Sequence, residues 1–499
     1  MIMVEPSCSG SSVRFFCTAG NGMETFLTEE VKKKLLAEDV CQIPGKVLFS
    51  SSAVIHRVTS LKAAERLFLL LKKDSPLRMP TRCSRAEAAS LLQSRLLANR
   101  DQWIGAAVTW SRMQRELLAT KGLGETGRSQ RGGGTEDFAA SKKHRSELRE
   151  PEREELQGEK PPQKKRMKED GAEAEIKIES NSFCSKIRLT GDDEASESVE
   201  NVSFRISCKC SGSVSRSFSS QEVSRMMGAA VSRLLGWKAD LKNPLLEVSL
   251  HLNDDYCLLG IPLTRLPLAN RSYIKTTGLR STVAWAMASL ADIQPGFSVV
   301  DPMCGVGTIL IEAAQEHQDA CFLGVDIDDG QLQRANDNVL FAHLGKSIQL
   351  LKASCMGLPL LSGTVDAVVC DLPFGRKFGS NTNMAADLPL ILWEMERILC
   401  PGGTLVVLLS PQLSCLLKKL LTQEPAGPAL EQKAEPQTVA ASCLSSSSPP
   451  DLQLHSQDRR PAAGLQQRQP PRRSSLKHRA TFRVSLGAID GLIQKYVKT

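Results

Sequence analysis

The sequence predicts an α/β protein in which a C-terminal doubly wound parallel sheet is preceded by smaller α+β units. Three observations lead there. From residue 278 onward, short Val- and Leu-rich runs alternate with helical stretches, as strands buried on both faces do. The first of those runs ends in "DPMCGVGT", a glycine-rich turn that opens a helix. Before residue 270, strand and helix patterns follow one another in short units that are interrupted by a long polar tract.

Taken in order, "VRFFCT" (13–18) alternates like a strand and "METFLTEEVKKKLLAE" carries apolar residues at helical spacing. "VCQIPGKVLFS" offers two short strands around Pro44 and Gly45, and "SLKAAERLFLLLKK" returns to an apolar run. A ferredoxin-like α+β unit over 13–75 is the expectation. Residues 76–120 read as helical, with Trp103, Ile104, Val108 and Trp110 on an apolar face. Residues 121–200 are rich in Gly, Glu, Lys and Ser, so they bury too little surface to fold and are expected to be disordered. A second α+β unit spans 201–268. "VSFRISCKCSG" is a strand, "SSQEVSRMMGAAVSRLLG" is a helix with a Ser cap and a closing Gly236, and "LLEVSLHLNDDYCLLGIPL" is a hairpin turning at Asn253, Asp254 and Asp255.

The α/β domain then occupies 269–421 and 479–499, split by a Pro-, Ser- and Gln-rich insert at 422–478. Its strands are "SVVD", "FLGVDID", "SIQLLK", "VDAVVCD" and "TLVVLLS". "TFRVSLGAIDGLIQKYVK" forms two more around "GAIDG", and these are expected as an antiparallel hairpin on the sheet's edge.

Composition bounds the chemistry. The net charge of +8 is compatible with a polyanionic partner, and the runs "KKHR", "KKRMK" and "RQPPRRSSLKHR" are solvated tails or nuclear-import and nucleic-acid contacts. Fifteen cysteines without a regular framework read as reduced thiols of an intracellular protein. Cys208 and Cys210 stand as a lone C-x-C with no second pair, so no metal site is assigned. No run of about 18 apolar residues suggests a membrane helix, and the N-terminus has neither a basic nor an apolar leader region. No histidine stands in a Cys/His or Ser/His constellation, which leaves nucleophilic catalysis without support.

The informative residues are acids at strand ends. In "VVDPMCGVGT", Gly305 and Gly307 let backbone approach a ligand, and Thr308 opens a helix. The second strand ends in Asp326, placed to accept from both hydroxyls of a ribose, while Asp328 reads as a helix cap. Leu310 stands where a dinucleotide fingerprint needs its third glycine. Asp301 would repel a pyrophosphate and suits an ammonium group. S-adenosylmethionine fits these features, having an ammonium, a carboxylate and a ribose but no phosphate.

Here the motifs carry a resemblance. "DPMCGVGT" with "GVDID" resembles motifs I and II of class I S-adenosylmethionine-dependent methyltransferases, and "DLPFG" resembles motif IV of enzymes that methylate exocyclic amines. "GWKADLKNPLLEV" is similar to the core of a THUMP RNA-binding domain, "VRFFCTAGNGMETFLTEEV" to the ferredoxin-like unit preceding it, and "LANRSYIKTTGLRSTVAWAMASLADIQPG" to the segment joining it to the methyltransferase. The resemblance covers all of the chain outside the two low-complexity tracts. It implies a Rossmann-like catalytic domain that forms N2-methylguanosine in structured RNA, with tRNA as substrate for several members and U6 small nuclear RNA for the branch this chain follows. A small zinc-ribbon activator subunit, in a heterodimer, and residence in the nucleus are further implications.

Within the resemblance, Asp301, Met303, Cys304, Gly305, Gly307, Thr308, Asp326 and Ile327 hold the cofactor. Where many relatives place an acid near the adenine amine this chain has Ala353, Ser354 and Cys355, so backbone and Ser354 take that part. In motif IV, Leu372 replaces the usual first Pro. Asp371 accepts the target amine's protons, the Leu372 carbonyl takes the second, Pro373 fixes the turn and Phe374 stacks on the base. Lys209, Arg216, Lys238 and Lys242 form a basic face on the THUMP domain, and Arg376 and Lys377 contact phosphates. A D-x-P-F motif alone does not separate guanine N2 from adenine N6 or a protein glutamine, and a catalytically silent RNA-binding protein is the rival of another class.

Overall fold

The computed structural model describes residues 12–76, 84–97, 99–126, 189–190, 198–199, 202–373, 384–422, 474–487 and 489–499. Two compact units emerge, Met1–Thr18 with Thr28–Leu268 and Ala19–Leu27 with Ala269–Thr499.

The elements leading through the first unit begin as β1 (Val13–Thr18), α1 (Glu24–Leu35), β2 (Glu38–Ile43), β3 (Lys46–Ser51), α2 (Ile55–Thr59) and β4 (Arg66–Asp74). There follow α3 (Arg85–Leu96), α4 (Arg100–Thr126), β5 (Leu189–Thr190), β6 (Ser198–Val199), β7 (Ser203–Cys210), α5 (Val214–Ser217), α6 (Ser220–Leu235), β8 (Lys238–Ala239), β9 (Leu246–Leu252) and β10 (Cys257–Pro262). Helix α6 starts on a capping box, in which the Ser219 side chain accepts from the Glu222 amide while Glu222 reaches back, and stops at Gly236 with φ 73°. Asn253 Oδ1 accepts from the amides of Asp255 and Tyr256, which closes the β9–β10 turn.

One difference from the sequence reading stands out. The two α+β units do not have separate sheets. They share one of eight strands in the order β2-β3-β1-β4-β10-β9-β7-β8, joined where β10 pairs antiparallel with β4 (Ile261↔Leu69, Pro262↔Phe68). Apolar edges on both halves, "LFLLL" in β4 and "CLLGI" in β10, cover one another. Gly260 permits the closure, because a Cβ there would lie 2.4 Å from a ring carbon of Phe16. The expected insert at 121–200 falls mostly outside the described residues, although α4 extends into it and β5 pairs with β6 inside it.

The second unit contains α7 (Ser281–Leu290), β11 (Ser298–Asp301), α8 (Thr308–Ala314), β12 (Cys321–Asp326), α9 (Asp329–Phe341), β13 (Ile348–Lys352), β14 (Val365–Asp371), α10 (Met384–Ile398), β15 (Leu399–Leu409), α11 (Pro411–Thr422), β16 (Leu476–Ser485) and β17 (Asp490–Lys498). Its sheet runs β13-β12-β11-β14-β15-β17-β16, with β11 to β15 parallel to their neighbours and β17 antiparallel to β15. The C-terminal hairpin therefore extends the sheet beyond β15. Its first strand starts at Leu476, inside the stretch read from sequence as an insert ending at 478. Glu396 explains the earlier start: its carboxylate accepts from Ser474 Oγ (2.7 Å) and from the amide and hydroxyl of Ser475 (both 2.6 Å). No described helix is long and apolar enough to cross a membrane.

Candidate active site

Three acids end three neighbouring strands. Asp301 ends β11, Asp326 ends β12 and Asp371 ends β14, with β11 between the other two. Because these strands are parallel, all three carboxylates gather at one rim of the sheet, where the order of crossovers reverses. None has a salt-bridge partner among the described residues.

Their surroundings differ. Asp301 is 1% exposed and accepts from the Met303 amide at 3.2 Å. Burial drives its pKa well above the carboxylate range, against that hydrogen bond, with the charges of Asp371 and Asp326 adding to the rise. Asp326 has one amide on each oxygen, Gly305 N on Oδ2 and Asp328 N on Oδ1, both at 2.9 Å. A second lone pair on each oxygen remains for a ligand. Asp371 has its Oδ1 sealed from solvent without a hydrogen-bond partner among the described residues. Burial alone raises its pKa to about 7.

Between these acids lies the glycine turn. Gly305 and Gly307 adopt φ 53° and 80°, and a Cβ on Gly305 would meet nothing within 4 Å, so the loop presents open backbone. Cys304 N donates to Val325 O (2.9 Å) and Gly307 N to Cys304 O (2.8 Å), which hold the turn against β12. Asp328 caps α9 through the Gln331 amide. Ile327 stands 68% exposed after Asp326, and the Ser354 hydroxyl accepts from the Met356 amide at 3.2 Å. Thr308 is buried and its Oγ1 accepts from Gly278 N at 3.3 Å. Leu372 is buried with its amide on Leu408 O at 3.0 Å, and Pro373 follows it, half-buried. Phe374, Arg376 and Lys377 lie outside the described residues.

The cations expected on the THUMP domain are all exposed and are spread along the sheet. Lys238 stands opposite Ser203 at the start of β7, with Lys242 four residues on. Lys209 lies opposite His251, about 20 Å along the strand from Ser203. Arg216 sits at the far turn near Asp254. Ser203 and Lys209 are an even number of residues apart on β7, so Lys238 and Lys209 stand on the same side of the sheet, separated along it. Cys208 and Cys210 approach to 3.3 Å between sulfurs, and no group of three or more His, Cys, Asp or Glu suited to a metal ion occurs among the described residues.

Sequence reasoning missed the strap over the glycine turn. Residues 271–280 run past it, with Arg271 and Tyr273 on the buried Glu312 (2.9 and 3.0 Å) and Lys275 and Thr276 on Asn338. Asn338 was legible in principle, since it shares the buried face of α9 with Ala335 and Val339 and is the one polar residue there.

Comparison with known proteins now decides the family. The model of the UPF0020 family, an RMKL-like methyltransferase domain, matches residues 269–426, and that of the THUMP domain matches 191–261. U6 snRNA (guanine-N(2))-methyltransferase THUMPD2 of Bos taurus is 40% identical over 510 residues, covering 97% of this chain and 96% of the relative. The chain belongs to the THUMPD2 family. A more distant relative, tRNA (guanine(6)-N(2))-methyltransferase THUMP3 of Bos taurus, is 36% identical over 44% of this chain and 46% of its own. Among solved structures, TrmN from Thermus thermophilus aligns with TM-score 0.55 over 98% of this chain and 100% of its own at 19% identity, which shows a shared fold. THUMPD2-family membership agrees with the class I methyltransferase topology of the second unit.

Proposed function

We propose that the chain is an S-adenosylmethionine-dependent RNA methyltransferase that forms N2-methylguanosine, with U6 small nuclear RNA as its substrate. One observation carries this reading: the unpartnered Oδ1 of Asp371, at the tip of β14 beside the glycine turn, in a chain 40% identical to a U6 snRNA guanine-N2 methyltransferase.

The cofactor fits the residues present. Two buried or half-buried acids with raised pKa values, and a third beside them, have no cationic side chain paired with them among the described residues, and a ligand bearing positive charge relieves that cost. Gly305 and Gly307 would receive it along open backbone, Asp326 would accept from the ribose, and Ile327 and Ser354 would flank the adenine. S-adenosylmethionine supplies, when bound, an electrophilic methyl group on a sulfonium. The rest is the work of this chain. A guanine N2 lone pair is delocalised into the ring, so the amine reacts only when its protons are held and the lone pair is turned toward the methyl. Asp371 Oδ1 holds one proton, and the Leu372 carbonyl takes the other. The amine needs no strong base, since it becomes acidic on methylation, and Asp371 then receives the proton it sheds. Alignment supplies most of the rate.

The first unit would carry the RNA, through Lys209, Arg216, Lys238 and Lys242 acting at separate points. A zinc-ribbon activator subunit belongs to this reading. Exposed apolar side chains on the second unit, Leu340, Phe341 and Leu361 among them, support a partner there. Nuclear residence follows from the U6 substrate and the basic runs. The test is to incubate the purified chain, with and without the activator, with labelled methyl donor and either U6 RNA or tRNA. Mass spectrometry should find N2-methylguanosine in U6 RNA. Label in tRNA alone would move the substrate to that of the more distant relatives, and label in neither would end the reading.

A further inference from the structure

The amide of Asn338 has four hydrogen-bonding positions, and all four are used. Nδ2 donates to Thr276 O (2.7 Å) and to Val306 O (2.9 Å), and Oδ1 accepts from Thr276 N (2.8 Å) and Lys275 N (3.1 Å). The residue is 0% exposed, so no ligand entering from solvent touches it. Val306 lies between Gly305 and Gly307, the two residues in left-handed conformation. Fixing its carbonyl fixes the rotation of the peptide between them. The strap that shares this amide is held again two residues on, where Gly278 N donates to Thr308 Oγ1, and it passes so close that a Cβ on Gly278 would lie 2.9 Å from Val306 Cγ2. On its other side the same turn is tied to Asp326 through Gly305 N. A glycine turn has little conformational preference of its own, so its shape comes from these ties.

We infer that Asn338 is a positioning residue for the methyl donor: it locks the strap at 275–278 to the glycine turn and so sets donor affinity without contacting the donor. The inference rests on the reading of the turn as the donor site. Losing the lock lets the peptides at 305–307 rotate, and part of the donor's binding energy then goes into ordering them again. Binding lost in this way is lost equally in ground and transition states, so KM for the donor rises while kcat at saturating donor holds. A residue that only held the core together would instead lower the fraction of active enzyme and leave that KM alone.

The experiment uses the full chain. Calorimetric binding of S-adenosylhomocysteine to the parent comes first; no binding there would overturn the proposed function and this inference with it. Asn338→Leu removes all four bonds at similar size and should weaken binding about tenfold or more, and Gly278→Ala crowds Val306 Cγ2, pushing the strap off the turn, and should weaken it about threefold. In both, donor KM should rise in step, while RNA affinity and kcat at saturating donor stay within about twofold. Gly278→Ala is a one-methyl change at an exposed position, so it carries the test should Asn338→Leu not fold. A parent that binds, with a folded variant whose donor affinity is unchanged or whose kcat falls at constant donor KM, would overturn this inference alone.

Discussion

Asp371→Asn separates the energetic and chemical roles of one carboxylate. In the folded protein the group titrates near about 7 rather than 3.8, because the charged form is held away from water. An unfolded chain leaves it near about 3.9, so between those values the native state binds more protons than the unfolded one. Stability therefore falls as pH rises through that window and levels off above about pH 7. A pKa displaced by about three corresponds to about 4 kcal/mol of destabilisation at pH 8, an upper bound for a half-buried side chain, and to about 1.5 kcal/mol at pH 5. Asparagine keeps the shape and an acceptor oxygen without the charge. Thermal melts of both proteins in the absence of donor should show a gap in favour of the variant that widens by about 2 to 3 kcal/mol from pH 5 to 8, several degrees in Tm. In the parent, kcat/KM for the donor, which reports the donor-free enzyme, should climb through about pH 7 as the carboxylate ionises, and the variant should be without most of the activity and without that climb. A gap that stays flat with pH would refute the buried placement of Asp371 without a paired cation among the described residues. A variant with near-normal turnover would refute its role.

Arg271→Met should leave the fully buried Glu312 with the Tyr273 hydroxyl in place of an ion pair, costing about 3 to 5 kcal/mol and roughly 10 °C in a thermal melt. Gly324→Ala would put a Cβ 2.9 to 3.0 Å from Leu350, Cys304 and Leu310, and the overpacking should cost about 1 to 3 kcal/mol by denaturant titration. Replacing Lys238 and Lys242 by Ala should lower the salt dependence of RNA affinity by about one unit of slope for each phosphate these lysines neutralise, and an unchanged slope would remove them from the interface.

What could be read from the chain was what local pattern encodes. Alternating apolar runs announced the parallel strands, "GAIDG" the closing hairpin, and Asp328 a helix cap, because each depends on residues within a few positions. The joining of β4 to β10 was not legible. Its two partners lie some 190 residues apart, and strand pairing leaves no mark in either sequence beyond an apolar run. At the site, the acids at strand ends stood out as charges inside apolar stretches. Asn338 and the pair Arg271–Glu312 did not, since a polar residue on a buried helix face signals a partner without naming it.

In the catalytic sheet, β17 is seated between β15 and β16, and β15 flanks the strand that ends in Asp371. The slot beside β15 is thus filled by residues made only after the whole stretch that separates the two strands. During translation β15 waits with an open, apolar flank while the whole stretch from 423 to 489 is made. Newly made chains are at their most aggregation-prone in that interval, and a chaperone or a partner subunit would have most to protect then.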